Sequence, residues 1–131
     1  MELRGHRILV LDDPPGARNA VALAIATLGG EPIEAVSPED ARRLLAEMAP
    51  ETPWAAVVDH DLGGGQTGPG FLDAYAASAG HALPAVVITG STDASTLASL
   101  VASGRPWLIK PIELNTLCLS LSRLAGAETT Q

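Results

Sequence analysis

Six polar side chains in this sequence have the types and the spacing to do chemistry together. Asp12 and Asp13 close one short apolar run, Asp59 and Asp61 close another, Thr89 closes a third and Lys110 a fourth. Each is ordinary alone: an acidic residue before a helix is a common cap, and Asp59, Asp61, Thr89-Gly90 and Lys110-Pro111 all read as ways to leave a strand or enter a turn. Four run-ends carrying them together form a constellation. Two unit charges ~4 Å apart repel by roughly 4 kcal/mol at an effective dielectric near 20, so carboxylates gathered on one rim need an offsetting cation. A hard divalent ion with oxygen ligands is the simplest solution. Mg²⁺ takes one or two carboxylates, keeps several waters and leaves a position for a phosphate oxygen, and Mn²⁺ suits the same donors. Lys110 is the sole lysine in a chain that otherwise uses arginine, which suits a position needing a compact point charge rather than a planar fork.

The elements that must position these groups follow from hydrophobic periodicity. Ile8-Leu9-Val10-Leu11, Ala55-Ala56-Val57-Val58, Ala85-Val86-Val87-Ile88 and Trp107-Leu108-Ile109 are short apolar runs bounded by Gly, Pro or Asp, the mark of buried strands. Pro32 to Val36 is a fifth candidate, interrupted by Glu34 and opened by a proline that cannot donate to a ladder, so it belongs at the side of the sheet. Between them lie helical stripes: Val21, Ala24, Ile25 and Leu28; Ala41, Leu44, Leu45 and Met48; Phe71, Leu72, Tyr75, Ala76 and Ala79; Leu97, Leu100 and Val101; Leu114, Leu117, Leu121 and Leu124. Ser37-Pro38-Glu39-Asp40 supplies a cap, a proline at the first helical position and early acids, and Gly29-Gly30 stops the preceding helix. Five strand–helix alternations predict an α/β domain, an open parallel sheet with helices on both faces. In such a sheet the carboxyl edge is the binding crevice, and every polar group named above falls on it. The glycine-rich segment Gly63 to Gly70 is a loop on that same edge.

Composition narrows the function classes. The chain of 131 residues is 47% hydrophobic but only 3% aromatic, enough for a single domain, residues 1–131, with a core of Ala, Val, Leu and Ile. A formal net charge of -7, with scattered basic residues, argues against direct nucleic-acid binding. Cys118 is alone, which excludes an internal disulfide or a zinc cluster. No apolar run nears the ~18 residues of a membrane span, and Met1 to Arg7 lacks a signal-peptide core, so a cytoplasmic location with no membrane contact is expected.

The acidic pair, Val57-Val58-Asp59-His60-Asp61-Leu62-Gly63-Gly64, Val87-Ile88-Thr89-Gly90 and Ile109-Lys110-Pro111 resemble, in order and spacing, the response-regulator receiver domains of two-component systems. The resemblance spans essentially the whole chain. It implies a (βα)5 doubly wound, five-stranded parallel sheet in the flavodoxin-like order 2-1-3-4-5. It further implies Asp59 as phosphoacceptor, a Mg²⁺ site from Asp12, Asp13, Asp59 and the backbone carbonyl of Asp61, phosphoryl contacts from Thr89 and Lys110, a cis peptide at Lys110-Pro111, and a Thr89/Trp107 switch. The implied partner is a histidine kinase or histidine phosphotransfer protein. The implied chemistry is assisted transfer onto Asp59 and hydrolysis from it, not stand-alone catalysis, with a weak homodimer through the fourth-helix to fifth-helix face. Leu3 to Val10, Ile88-Thr89-Gly90-Ser91-Thr92 and Ser103-Gly104 also look like receivers at the end of hybrid sensor histidine kinases; a free-standing regulator is the alternative.

Several positions depart from that pattern. Trp107 is bulkier than the usual aromatic, Gly63 stands where proline is frequent, Pro14-Pro15 follows the acidic pair, and Asp61 and Ser91 flank the phosphoryl position. Two other readings stay open at this stage. One is a haloacid-dehalogenase-like phosphohydrolase, suggested by Asp59-His60-Asp61 but opposed by the order of the motifs. The other is a receiver-like interaction module that never takes a phosphoryl group. His60 reads as a solvent-facing loop residue, and Trp54 and Cys118 as packing residues.

Overall fold

The computed structural model describes residues 3–12 and 15–129, so Asp13, a predicted metal ligand, lies outside the described residues. Ten elements alternate: β1 (Arg7–Leu11), α1 (Pro15–Thr27), β2 (Glu31–Ala35), α2 (Pro38–Met48), β3 (Ala55–Asp59), α3 (Gly68–Ala79), β4 (Ala85–Thr89), α4 (Ala94–Ser103), β5 (Trp107–Ile109) and α5 (Leu114–Thr129). All pairings are parallel, in the order β2-β1-β3-β4-β5. This is the doubly wound α/β sheet that the alternation predicts. Central strands β3 and β4 are buried along their whole length, which explains why they read as continuous apolar runs rather than alternating ones. Pro32 sits on edge strand β2, where the missing N–H costs no ladder bond on the open side.

Side chains of opposite parity feed two cores. Leu9, Leu11, Val58 and Val87 meet Ala41 and Leu45 of α2, Phe71 and Leu72 of α3 and Leu100 of α4. Ile8, Val10, Val57 and Ile88 meet Val21 and Ile25 of α1 and Leu117 and Leu121 of α5. The helix starts obey local chemistry: Ser37 Oγ accepts from Asp40 N–H at 3.0 Å, with Pro38 next in the chain. After α1, Gly29 turns the chain at φ +90°, and Gly30 packs where a Cβ would meet Ile25 Cγ2 at 2.8 Å.

The structure corrects three positions in the helical stripes, of which Ala79 at the end of α3 is exposed. Val101 and Leu114 were expected in the core and are 67% and 37% exposed. Strand β5 contributes only three residues, so the helices at that edge have a narrow strip of sheet to cover; α4 buries Leu100, and α5 buries Leu117, Cys118 and Leu121. Among the described residues no helix is long and apolar enough to cross a membrane.

Candidate functional site

Register brings the polar residues together. Leu11 pairs with Val58, so the next residues, Asp12 and Asp59, leave adjacent strands at the same level. Asp59 pairs with Ile88, and Thr89 with Ile109. The ladder then runs one bond past each strand, His60 N–H to Ile88 carbonyl and Lys110 N–H to Thr89 carbonyl, both at 2.7 Å. Because side chains alternate across a sheet, parity sends Asp12, Asp59 and Lys110 toward the α1/α5 side. Thr89 shares the other parity with Trp107, which pairs with Val87 and packs against the core beneath α2, α3 and α4.

Lys110 Nζ stands 3.3 Å from Asp59 Oδ2 and 3.5 Å from Asp12 Oδ2. It donates a hydrogen bond to Asp59, whereas neither carboxylate oxygen of Asp12 has a hydrogen-bond partner among the described residues. The Lys110–Asp12 contact is a long ion pair. Asp12 is 0% exposed and Asp59 6%, so Asp12 is not the surface helix cap that its position next to α1 would suggest. Burial, reinforced by Asp59 alongside, pushes the Asp12 carboxyl up to about 6 against the pull of Lys110. A buried acid with both oxygens unsatisfied is costly.

That cost has a measurable consequence. Between the unfolded carboxylate pKa, roughly 4, and about 6, the native chain holds a proton that the unfolded chain has released. Stability therefore falls as pH rises through this window and stays reduced above it. In Mg²⁺-free buffer at pH 7.5, taken as about one and a half units above that window, Asp12→Asn is expected to stabilise the fold by on the order of 2 kcal/mol. The gain should vanish below about pH 4. Denaturant titrations of both proteins across this range check it; an equal difference at both pH extremes would contradict the assignment.

The other predicted residues occupy different environments. Thr89 is buried, and its Oγ1 accepts from Ser91 N–H at 3.0 Å, closing a local turn at the end of β4. The Asp61 side chain is exposed, and its Oδ1 accepts from Gly63 N–H at 3.0 Å, so its carboxylate is engaged in the glycine loop rather than aimed at Asp59. The main chain of Asp61 forms an isolated antiparallel bridge with Thr67, through Leu62 N–H to Gln66 carbonyl and Gly68 N–H to His60 carbonyl. In that type of pair the ladder bonds belong to the neighbours, which leaves the Asp61 carbonyl outside the bridge. The Lys110-Pro111 peptide is cis, and Trp107 is half-buried.

These donors fit a Mg²⁺ ion. No group of three or more His, Cys, Asp or Glu side chains is gathered for a metal among the described residues, but Mg²⁺ completes its shell with water and needs only one or two carboxylates. The unsatisfied oxygens of Asp12 beside Asp59 are the donors such an ion would use.

Thr67 and Thr96 also line the site and were not apparent from sequence. An open cleft beside Asp59 is lined by His60, Asp61, Gly63, Thr67, Thr89, Gly90, Ser91, Thr96 and Lys110; His60 is half-buried at its border. Gly68 packs so tightly that a Cβ there would lie 2.3 Å from the Asp59 carbonyl oxygen. The sequence reads Gly63 to Gly70 as a loop, but Gly68 to Gly70 form the first turn of α3 after the Thr67 cap, and composition does not mark Gly68 as the glycine that packs on the acceptor. Trp54 packs against the second core and stacks on His6 at 4.2 Å, away from the cleft.

Comparison with solved structures settles the architecture. A response regulator receiver domain protein from Clostridium thermocellum superimposes with a TM-score of 0.80 over 94% of this chain and 96% of its own, at 18% identity. The fold is that of a response regulator receiver domain. A receiver protein from Pseudomonas putida gives 0.74 over 94% and 99% of the two chains at 23% identity. NtrX from Brucella abortus gives 0.79 at 27% identity over 93% of this chain but only 27% of its own. No protein-family model and no curated protein matches the sequence. In the receiver fold the acceptor candidate Asp59 ends the middle strand of the sheet.

Proposed function

We propose that the chain is a two-component receiver that accepts a phosphoryl group on Asp59 from a phosphohistidine of a histidine kinase or histidine phosphotransfer protein. The observation that carries this reading is the buried, unsatisfied Asp12 carboxylate beside Asp59 and Lys110. An inert interaction module would gain stability by replacing such a pair with apolar or neutral groups; a phosphoryl-transfer site needs the charge.

In the step itself, an Asp59 oxygen forms a bond to phosphorus as the phosphorus–nitrogen bond to the donor imidazole breaks. The nitrogen keeps the bonding pair and the product is an acyl phosphate. Such transfer depends mainly on positioning and charge stabilisation. Asp12, Asp13, Asp59 and the Asp61 carbonyl would hold Mg²⁺ or Mn²⁺, which supplies neutralising charge to the phosphoryl oxygens. Lys110, already bonded to Asp59, is placed to follow a phosphoryl oxygen. Thr89, whose hydroxyl donates only a long bond to the Ser91 carbonyl at 3.5 Å, turns that O–H toward a phosphoryl oxygen. Trp107, on the same parity as Thr89, responds by repacking, and the α4–β5–α5 face, where Val101, Ile109 and Leu114 are exposed, carries the change to an output partner or a second copy. Water entering the open cleft hydrolyses the acyl phosphate and resets the domain, so the chain assists both reactions without being a stand-alone catalyst. A place at the end of a hybrid kinase fits the motifs noted above.

Incubation with acetyl phosphate and Mg²⁺, followed by intact mass measurement and reductive mapping of the modified residue, tests this reading. One phosphoryl group per chain on Asp59, dependent on the metal, is the expected result. No adduct, or an adduct on another residue, overturns it.

A further inference from the structure

Neither Asp12 oxygen is hydrogen-bonded among the described residues, and the 3.5 Å ion pair with Lys110 is not directional, so the aim of this side chain depends on its backbone. That backbone is held on both sides. The Asp12 N–H donates to the Ala35 carbonyl of β2 at 3.3 Å, and the Asp12 carbonyl accepts from Arg18 Nη1 at 3.3 Å. The same guanidinium gives its Nε to Glu34 Oε1, also at 3.3 Å, with the Arg18 side chain only 14% exposed and Glu34 40%. One planar fork thus ties helix α1, edge strand β2 and the peptide by which the chain leaves β1.

We propose that Arg18, anchored by Glu34, is the positioning residue that aims Asp12 into the acidic site. The inference rests on the phosphoacceptor reading above. An ordinary surface ion pair contributes little, but here the guanidinium is mostly out of water and commits one arm to the main chain of the buried acid. Arginine suits the task because its donors leave a rigid plane in fixed directions; a lysine supplies one point charge and cannot span both acceptors. Groups that orient metal ligands from outside the site typically change affinity by 10–100-fold when removed.

Calorimetric titration of the full chain with Mg²⁺, accompanied by melting curves without Mg²⁺, separates this role from general support of the fold. Arg18→Ala is expected to weaken Mg²⁺ binding on the order of tenfold, Arg18→Lys less, and Glu34→Ala in the same direction. Glu34→Ala keeps the test decisive should Arg18→Ala fail to fold, since Glu34 lies on the exposed edge strand. Arg43→Ala, which breaks only the α2 pairs with Asp40 and Glu47, should leave the affinity unchanged. Wild-type affinity in both Glu34→Ala and Arg18→Ala, or an equal loss in Arg43→Ala, overturns the proposal while leaving the acceptor reading intact. A wild-type chain that binds no Mg²⁺ and takes no phosphoryl group overturns both.

Discussion

Asp59→Asn is expected to abolish phosphoryl uptake while leaving the chain folded. The amide oxygen of asparagine has nearly the same shape as the carboxylate oxygen it replaces and still accepts a hydrogen bond from Lys110, which lies 3.3 Å away in the wild type. It is too weak a nucleophile to form the acyl phosphate. The same change removes a negative charge next to Asp12, where Asp59 helps to raise the carboxyl pKa. The Asp12 pKa should therefore fall, and Lys110 is left with a single carboxylate to neutralise. Stability at neutral pH should hold or rise by about 1 kcal/mol, the scale of one pKa unit. Intact mass after acetyl phosphate treatment, read beside a urea titration, checks both halves. A wild-type adduct on the Asp59→Asn chain would place the acceptor elsewhere, and a large loss of stability would mean that the carboxylate is structural.

Gly68→Ala is expected to destabilise the domain by about 3 kcal/mol, at the upper end of what overpacking usually costs, and to impair uptake as well. The added methyl would lie 2.3 Å from the Asp59 carbonyl oxygen, 2.9 Å from Val58 Cγ2 and 3.1 Å from the Asp59 carbonyl carbon. Two of these three neighbours are main-chain atoms of the acceptor residue and cannot rotate aside. Relief must come from moving the start of α3 or the end of β3. The first would strain the Gly68 N–H to His60 carbonyl bond at 3.0 Å, and the second would shift Asp59 away from Lys110. Gly65→Ala is the control. That residue has φ +80°, and a methyl added there would meet nothing within 4 Å, so its cost is local backbone strain of roughly 1–2 kcal/mol with no displacement of Asp59. Melting temperature and the rate of adduct formation, measured on both variants, discriminate. Equal rates in Gly68→Ala and wild type would show that the contact has no influence on the acceptor.

These expectations draw unequally on sequence and coordinates. The helix starts are a local matter: Ser37 caps α2 through Asp40 because the two residues are three apart on one chain. The exposure of Val101 is not local, because periodicity marks which face of a helix is apolar but not how much sheet remains to cover it. His60 shows the same limit. It follows the acceptor in sequence and borders the cleft, held there as the segment from Gly63 to Thr67 folds back and brings Gly68 N–H to the His60 carbonyl, a path that loop composition does not specify.

Sequence alone determined the alternation of elements and the edge on which the chemistry sits. Parallel strands all point the same way, so acids and a lysine at the ends of their apolar runs must gather on one rim. Depth and pairing were decided only by tertiary structure. Asp12 and Asp61 are both acids just beyond a strand, yet one is wholly buried with unsatisfied oxygens and the other caps an exposed turn. That difference accompanies the register of Leu11 against Val58, which sets Asp12 level with Asp59 inside the sheet, and the turn in which Asp61 accepts from Gly63 N–H and bridges to Thr67. The register is an agreement between segments far apart in the chain, set by how whole elements pack, and no short stretch of residues encodes it.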